Sequence, residues 1–102
     1  MPQISRNNDK ASTGHSCSST AGVDASQFSV FANGIAVVRP GDKLQPHTIL
    51  RCFGKKCVCV PHRAQVNSGS GSVFAQGVPV ARVGDSADRG AMIQGSPNVF
   101  AG

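Results

Sequence analysis

The sequence predicts an all-β fold of three hairpin units related by a pseudo-threefold axis, the third unit closed through the two chain ends. Three observations predict it: a strong internal repeat, a fragment of the same repeat divided between the termini, and a composition in which helix is hard to place. Among 102 residues there are 12 Gly and 6 Pro, no Trp, no Tyr and no Glu. The apolar residues are mostly Val, Ile and Phe, which fit a pleated, half-buried surface better than a helix.

The first unit reads S-V-F-A-N-G-I-A-V-V-R-P-G-D over residues 29–42, and the second reads S-V-F-A-Q-G-V-P-V-A-R-V-G-D over residues 72–85. Nine of the fourteen positions are identical. Each copy has the grammar of a hairpin: an apolar strand (Val30–Ala32, Val73–Ala75), a turn (Asn33-Gly34, Gln76-Gly77), and a second apolar strand ending in Arg-x-Gly-Asp. Asn-Gly is the favoured two-residue hairpin turn because both central residues take positive φ. The third unit appears when the ends are joined. Asn98–Gly102 matches the first half, and Met1–Asp9 matches the second with a slip of about one residue. The Arg-x-x-Asp pairs Arg6/Asp9, Arg39/Asp42 and Arg82/Asp85 are expected to fix the turns by ion pairing. A short hairpin cannot bury its apolar face alone, whereas three placed around an axis bury their faces against one another. A pseudo-threefold chain of this kind suits the end of a true trimer, whose three identical subunits it can meet at once.

The length bounds one domain, residues 1–102, with a small core, and folds of this size often need a staple. The net charge is +5. The basic residues are spread along the chain apart from one cluster, Arg51, Lys55, Lys56 and Arg63. No aromatic array for base stacking accompanies them, since Phe is the only aromatic and occurs five times. The N-terminus carries no apolar signal-peptide core, and no run approaches a membrane span, so the expected place of synthesis is the cytoplasm. In that setting four Cys beside three His favour a metal or free thiols over disulfides.

The spacing of the histidines points to one metal site. His15 follows Asp9 by six residues and His47 follows Asp42 by five, so pseudo-symmetry brings them together. His62 ends a segment, read as a loop from Leu50 to Val60, that also carries Cys52, Cys57 and Cys59. Zinc takes tetrahedral His and Cys ligands, and iron fits a similar set. The expected ligands are therefore His15, His47, His62 and Cys59, the last favoured by the chelating Cys59-x-x-His62 spacing. Cys17, Cys57 or a water molecule are the alternatives for the fourth corner.

The segments Gly77–Asp85 and Gly95–Gly102 resemble the PAAR-repeat proteins. The name-giving Pro-Ala-Ala-Arg is seen as Pro79-Val80-Ala81-Arg82 and, degenerately, as Ala36-Val37-Val38-Arg39, and Gly14-His15-Ser16-Cys17, Pro46-His47 and Pro61-His62 belong to the same ordered set. The resemblance implies a short cone whose base docks on a trimeric β-helical spike, one tip per trimer. That spike is of the VgrG type in type VI secretion and the central spike in contractile phage tails. It implies a metal near the apex held by three His and one Cys, a membrane-piercing role at the tip of the apparatus, and no enzymatic step. The sequence departs from the pattern at the fourth ligand: where many members place a Cys after the third Gly-Asp, this chain has Arg89.

Two other readings compete. A zinc-stabilised, basic nucleic-acid-binding module accounts for the charge and the Cys/His segment but not for the closed repeat; the spike-tip reading expects no nucleic acid. An enzyme with Cys59 or Cys57 as nucleophile beside His62 lacks an acidic orienting group or an oxyanion motif.

Overall fold

The computed structural model describes residues 1–102 and contains strands and turns but no helix. Ten short strands form five antiparallel two-stranded hairpins. In chain order they are β1 (Lys10–Ser12) with β2 (Thr20–Gly22), β3 (Phe31–Ala32) with β4 (Ile35–Ala36), β5 (His47–Phe53) with β6 (Lys56–His62), β7 (Phe74–Ala75) with β8 (Val78–Pro79), and β9 (Ser86–Ala87) with β10 (Gly90–Ala91).

The repeat units are β3–β4 and β7–β8, and their turns are those the dipeptides predict. Asn33 and Gly34 have φ of 56° and 74°, and Gln76 and Gly77 have 52° and 77°. The third unit is formed by the two ends. Gln3 bridges Phe100, Ala101 N–H donates to Pro2 C=O at 3.0 Å, and Ile4 N–H donates to Val99 C=O at 2.9 Å. These match Phe31 paired with Ala36, and Val37 N–H donating to Val30 C=O at 3.1 Å. The register shows no slip: Gly102 and Met1 stand where Asn33 and Gly34 stand in the first unit.

The three units are joined by a cyclic set of backbone hydrogen bonds. Ser5 N–H donates to Ala81 C=O (3.0 Å), Ala81 N–H to Val38 C=O (2.8 Å), and Val38 N–H to Ser5 C=O (3.1 Å). Each of these residues is the one before the Arg of its own unit, so the triangle is the pseudo-threefold axis written in backbone groups. All three are fully buried, and the ring satisfies donors and acceptors that would otherwise be costly to bury.

Two apolar clusters account for the core. Ile4, Val37 and Val80 with Ala32, Ala75 and Ala101, two from each unit, fill the space among the hairpins. A second cluster is built around Val23, Leu44, Val66 and Met92 with Val38 and Ala81. The paired alanines are necessary because three strands converge on one axis, where a larger side chain would overfill the interior. The phenylalanines take the other face: Phe31, Phe74 and Phe100 are 52, 53 and 43 % exposed.

The Arg-x-x-Asp turns repeat with a common backbone solution. In each, the Asp carboxylate accepts the Arg backbone N–H (Arg6 to Asp9, 2.7 Å; Arg39 to Asp42, 2.9 Å; Arg82 to Asp85, 2.7 Å). The third turn position takes positive φ, with Gly41 and Gly84 at 93° and 95° and Asn8 at 69° in the unit that lacks glycine; Asn tolerates that region better than most residues. The expected ion pair forms in two units, Arg6–Asp9 and Arg82–Asp85. In the other, Arg39 turns to Ala75 C=O and Ser26 Oγ. What fixes all three turns is the carboxylate-to-backbone bond rather than the ion pair.

The segment expected as a loop from Leu50 to Val60 is instead the long hairpin β5–β6, in register from His47↔His62 to Phe53↔Lys56. Its two-residue turn is Gly54-Lys55, with Gly54 at φ 63°. The molecule measures 47 × 23 × 20 Å, and seven paired residues at about 3.3 Å each contribute roughly half of the long dimension.

Candidate metal centre

Each unit leads through the core to one polar side chain. From Val38 the chain passes buried Leu44 to His47; from Ala81 it passes buried Ala87 to Asp88; from Ser5 it passes buried Ala11 and Thr13 to His15. His62 joins them because the β5–β6 register sets it opposite His47. The four ligand-type atoms lie within 4.8 Å of one another. Asp88 is the centre: His47 Nε2 is 2.8 Å from its Oδ2, His15 Nε2 is 3.0 Å from its Oδ1, and His62 Nε2 is 3.5 Å from its Oδ1.

Local sequence explains how Asp88 arrives there. Asp88-Arg89 is the two-residue turn between β9 and β10, and Asp88 takes φ 53°, a region that Asp visits at low cost among non-glycine residues. The turn packs tightly on β1, because a Cβ at Gly90 would lie 2.1 Å from Ser12 C=O. Asn67 Nδ2 donates to Asp88 C=O at 3.3 Å from the other side. On β5, His47 Nδ1 donates to Gln45 C=O at 3.0 Å, which orients the ring with Nε2 toward Asp88, as metal-ligating histidines are commonly oriented.

The electrostatics favour positive charge at this point. Burial pushes the Asp88 carboxyl up, but the hydrogen bonds of His15 and His47 and the fields of His15 and His62 outweigh it and hold its pKa below the ordinary value. Asp88 therefore stays ionised to lower pH than a free aspartate. Its contribution to stability is complete above the unfolded carboxylate range and is lost as pH falls through the lower folded value. His47 Nε2 stands 2.8 Å from Asp88 Oδ2, so this ring is held between Gln45 C=O and the carboxylate. His62 Nε2 is buried with no hydrogen-bond partner at all. Protonated rings would answer this, and so would one metal ion, which engages all four atoms together. Three imidazoles and a carboxylate within 4.8 Å of one another are donors of the types zinc accepts. The donor set fits a metal.

The structure thus brings together His15, His47 and His62, and it does not bring Cys59 to them. The Cys59 sulfur is bonded to Cys17, and Cys52 is bonded to Cys57. The reason is strand geometry: side chains alternate between faces with period two, so Cys59 and His62, three apart on β6, point to opposite faces. A Cys-x-x-His chelate needs a loop, and residues 50–60 are not one. The disulfides also overturn the expectation of free thiols and leave neither Cys59 nor Cys57 as a nucleophile. Asp88 lies outside the expected ligand set, which reserves the fourth corner for a thiolate or a water molecule. The available signal was its position after the third Gly84-Asp85, parallel to that of His47 after Asp42 and His15 after Asp9.

In comparison with known families, the model described as PAAR motif matches residues 13–95. No curated protein matches the chain. The matched segment contains all four clustered residues and both complete repeat hairpins.

Proposed function

The chain belongs to the PAAR-motif family, and from that premise we propose that it is a non-enzymatic, membrane-piercing tip that caps a trimeric β-helical spike, VgrG-like or the central spike of a phage tail. The family is a structural module associated with the spike tips of type VI secretion and related contractile systems, and its members sit on VgrG-like spikes. The observation that carries the proposal for this chain is the trio Phe31, Phe74 and Phe100, three equivalent and similarly exposed rings around a hydrogen-bonded threefold centre. Three matching apolar groups on one chain are complementary to a threefold symmetric end, and exposed apolar clusters of this kind mark interaction surfaces.

In this reading His15, His47, His62 and Asp88 hold one zinc, with iron as the other metal the donors accommodate. A bound ion would cross-link the three units and the long hairpin. Four protein donors at one point would suit a structural rather than a catalytic site. The protein is made in the cytoplasm and carried at the end of the apparatus, and disulfides, which persist in oxidising surroundings, suit such a working place.

Native mass spectrometry of the chain mixed with a trimeric spike protein tests the cap. One chain per three spike subunits is expected, and the triple change Phe31→Ser, Phe74→Ser, Phe100→Ser abolishes the complex. One chain per spike subunit, or binding indifferent to the triple change, rejects it.

A further inference from the structure

The β5–β6 hairpin leaves the body of the molecule as a separate structure with a composition of its own. Residues 50–59 are exposed without interruption, although they include Leu50, Phe53 and Val58 at 49, 66 and 36 % exposure. The strands pair only with each other, so no core holds this tip in shape. The Cys52–Cys57 disulfide does so instead, closing the hairpin next to its turn, while Cys17–Cys59 ties its lower part to the arm that carries His15. Arg51, Lys55 and Lys56 lie among the apolar residues, and no acidic residue occurs anywhere between Lys43 and Gly84.

Register sets the pattern. Ile49 with Val60, Arg51 with Val58, and Phe53 with Lys56 occupy one face, the face on which His47 and His62 lie at the root. The disulfide occupies the other. The outer end is thus Phe53 and Val58 framed by Arg51, Lys55 and Lys56. An apolar end that a soluble protein would normally cover, ringed by cations only, is complementary to a surface that is itself anionic outside and apolar within.

We infer that this hairpin is a pre-formed prong that inserts Phe53 and Val58 into an anionic lipid bilayer, with Arg51, Lys55 and Lys56 bound to the headgroups. The inference rests on the tip reading above and adds the segment and the lipid class. Each basic residue close to an anionic bilayer contributes about 1 kcal/mol, so the three together change affinity by about a hundredfold. The staple matters because a two-stranded hairpin alone is marginal in water, and a hairpin already ordered does not lose affinity to ordering on contact.

The test uses the full chain with Phe53→Trp as reporter, since the protein has no other Trp. Vesicles of phosphatidylglycerol and phosphatidylcholine in equal parts are compared with vesicles of phosphatidylcholine alone. The expected result is a blue shift and co-flotation with the anionic vesicles only, weakened by salt. In the variant Arg51→Ser, Lys55→Ser, Lys56→Ser the affinity falls about a hundredfold. In wild type, read by co-flotation, Phe53→Ser with Val58→Ser also abolishes binding, whereas the Phe31, Phe74, Phe100 triple change leaves it intact. Equal binding to both vesicles, binding that survives loss of the three charges, or binding lost with the three phenylalanines overturns the inference. So does tight binding of duplex DNA by the same charges without any binding of vesicles. A chain that caps its spike one to three but ignores anionic vesicles sinks the prong alone; vesicle binding without spike capping sinks the cap and leaves the prong.

Discussion

Asp88 concentrates the chemistry of the molecule in one side chain. It stands in space where the resemblance placed a thiolate, although in the sequence the family position is held by Arg89. An oxygen donor in place of sulfur makes the set harder, so preference between zinc and ferrous iron narrows. Removing the carboxylate leaves three imidazoles without their anionic partner, and Asp88→Ala is expected to lower metal affinity by well over tenfold, measured by competition with a chelating dye. Asp88→Cys is expected to keep a tetrahedral site, and cobalt(II) bound to it then shows a thiolate charge-transfer band that the wild type lacks. Unchanged affinity in Asp88→Ala would remove the carboxylate from the ligand set. The three histidines were legible from the sequence because their spacing follows the repeat. For Asp88 the sequence offers only its position after the third Gly-Asp, a weak sign, because aspartate after a turn is ordinary chemistry and the packing of Gly90 on Ser12 is what aims it inward.

At the scale of elements, the repeat hairpins could be read directly from Asn33-Gly34 and Gln76-Gly77, where turn chemistry and apolar strands agree. The long hairpin could not. Its strands, Thr48-Ile49-Leu50 and Val58-Cys59-Val60, do not alternate polar and apolar residues, and a ladder whose two faces both meet solvent gives no periodicity. The sign that was present is Gly54 at the first place of a two-residue loop. Once the ladder exists, cysteine chemistry follows, since Cys52 and Cys57 are direct cross-strand partners. The two disulfides are expected to differ in weight. Cys17–Cys59 spans 42 residues and Cys52–Cys57 spans five. Loop-closure entropy then assigns about 4 kcal/mol to the first and about 2 to the second. Urea denaturation of the paired serine variants, Cys17→Ser with Cys59→Ser and Cys52→Ser with Cys57→Ser, measures this. The second pair is expected to leave the repeat units intact while the tip becomes a site of proteolysis. A larger loss from the short-span pair would show that the hairpin tip supports the whole fold.

For the whole molecule, the decisive feature is that residues near Met1 and Gly102 pair to form a third unit equivalent to the other two. Gly102 and Met1 occupy the two turn positions of the third hairpin, Ala101 already bonds to Pro2, and the Ser5–Val38–Ala81 triangle treats the terminal unit as equal to the other two. Termini that are neighbours at an exposed turn are where circular permutation succeeds. Joining Gly102 directly to Met1, with Gly102→Asn and Met1→Gly to supply the favoured Asn-Gly turn, should close the third hairpin with no added linker. The new ends are placed between Gln76 and Gly77, both exposed. In this exchange one hairpin loses its covalent turn and another gains one, so the number of closed hairpins is unchanged. The permutant is expected to melt within a few degrees of the natural chain, to bind the same single metal, and to cap a trimeric spike in the same proportion. A permutant that fails to fold, or that melts more than about ten degrees lower, would mean that the units are not interchangeable and that the first and second hairpins carry a role in folding the third cannot take. Retained stability would make the pseudo-threefold axis a property of the energetics as well as of the geometry.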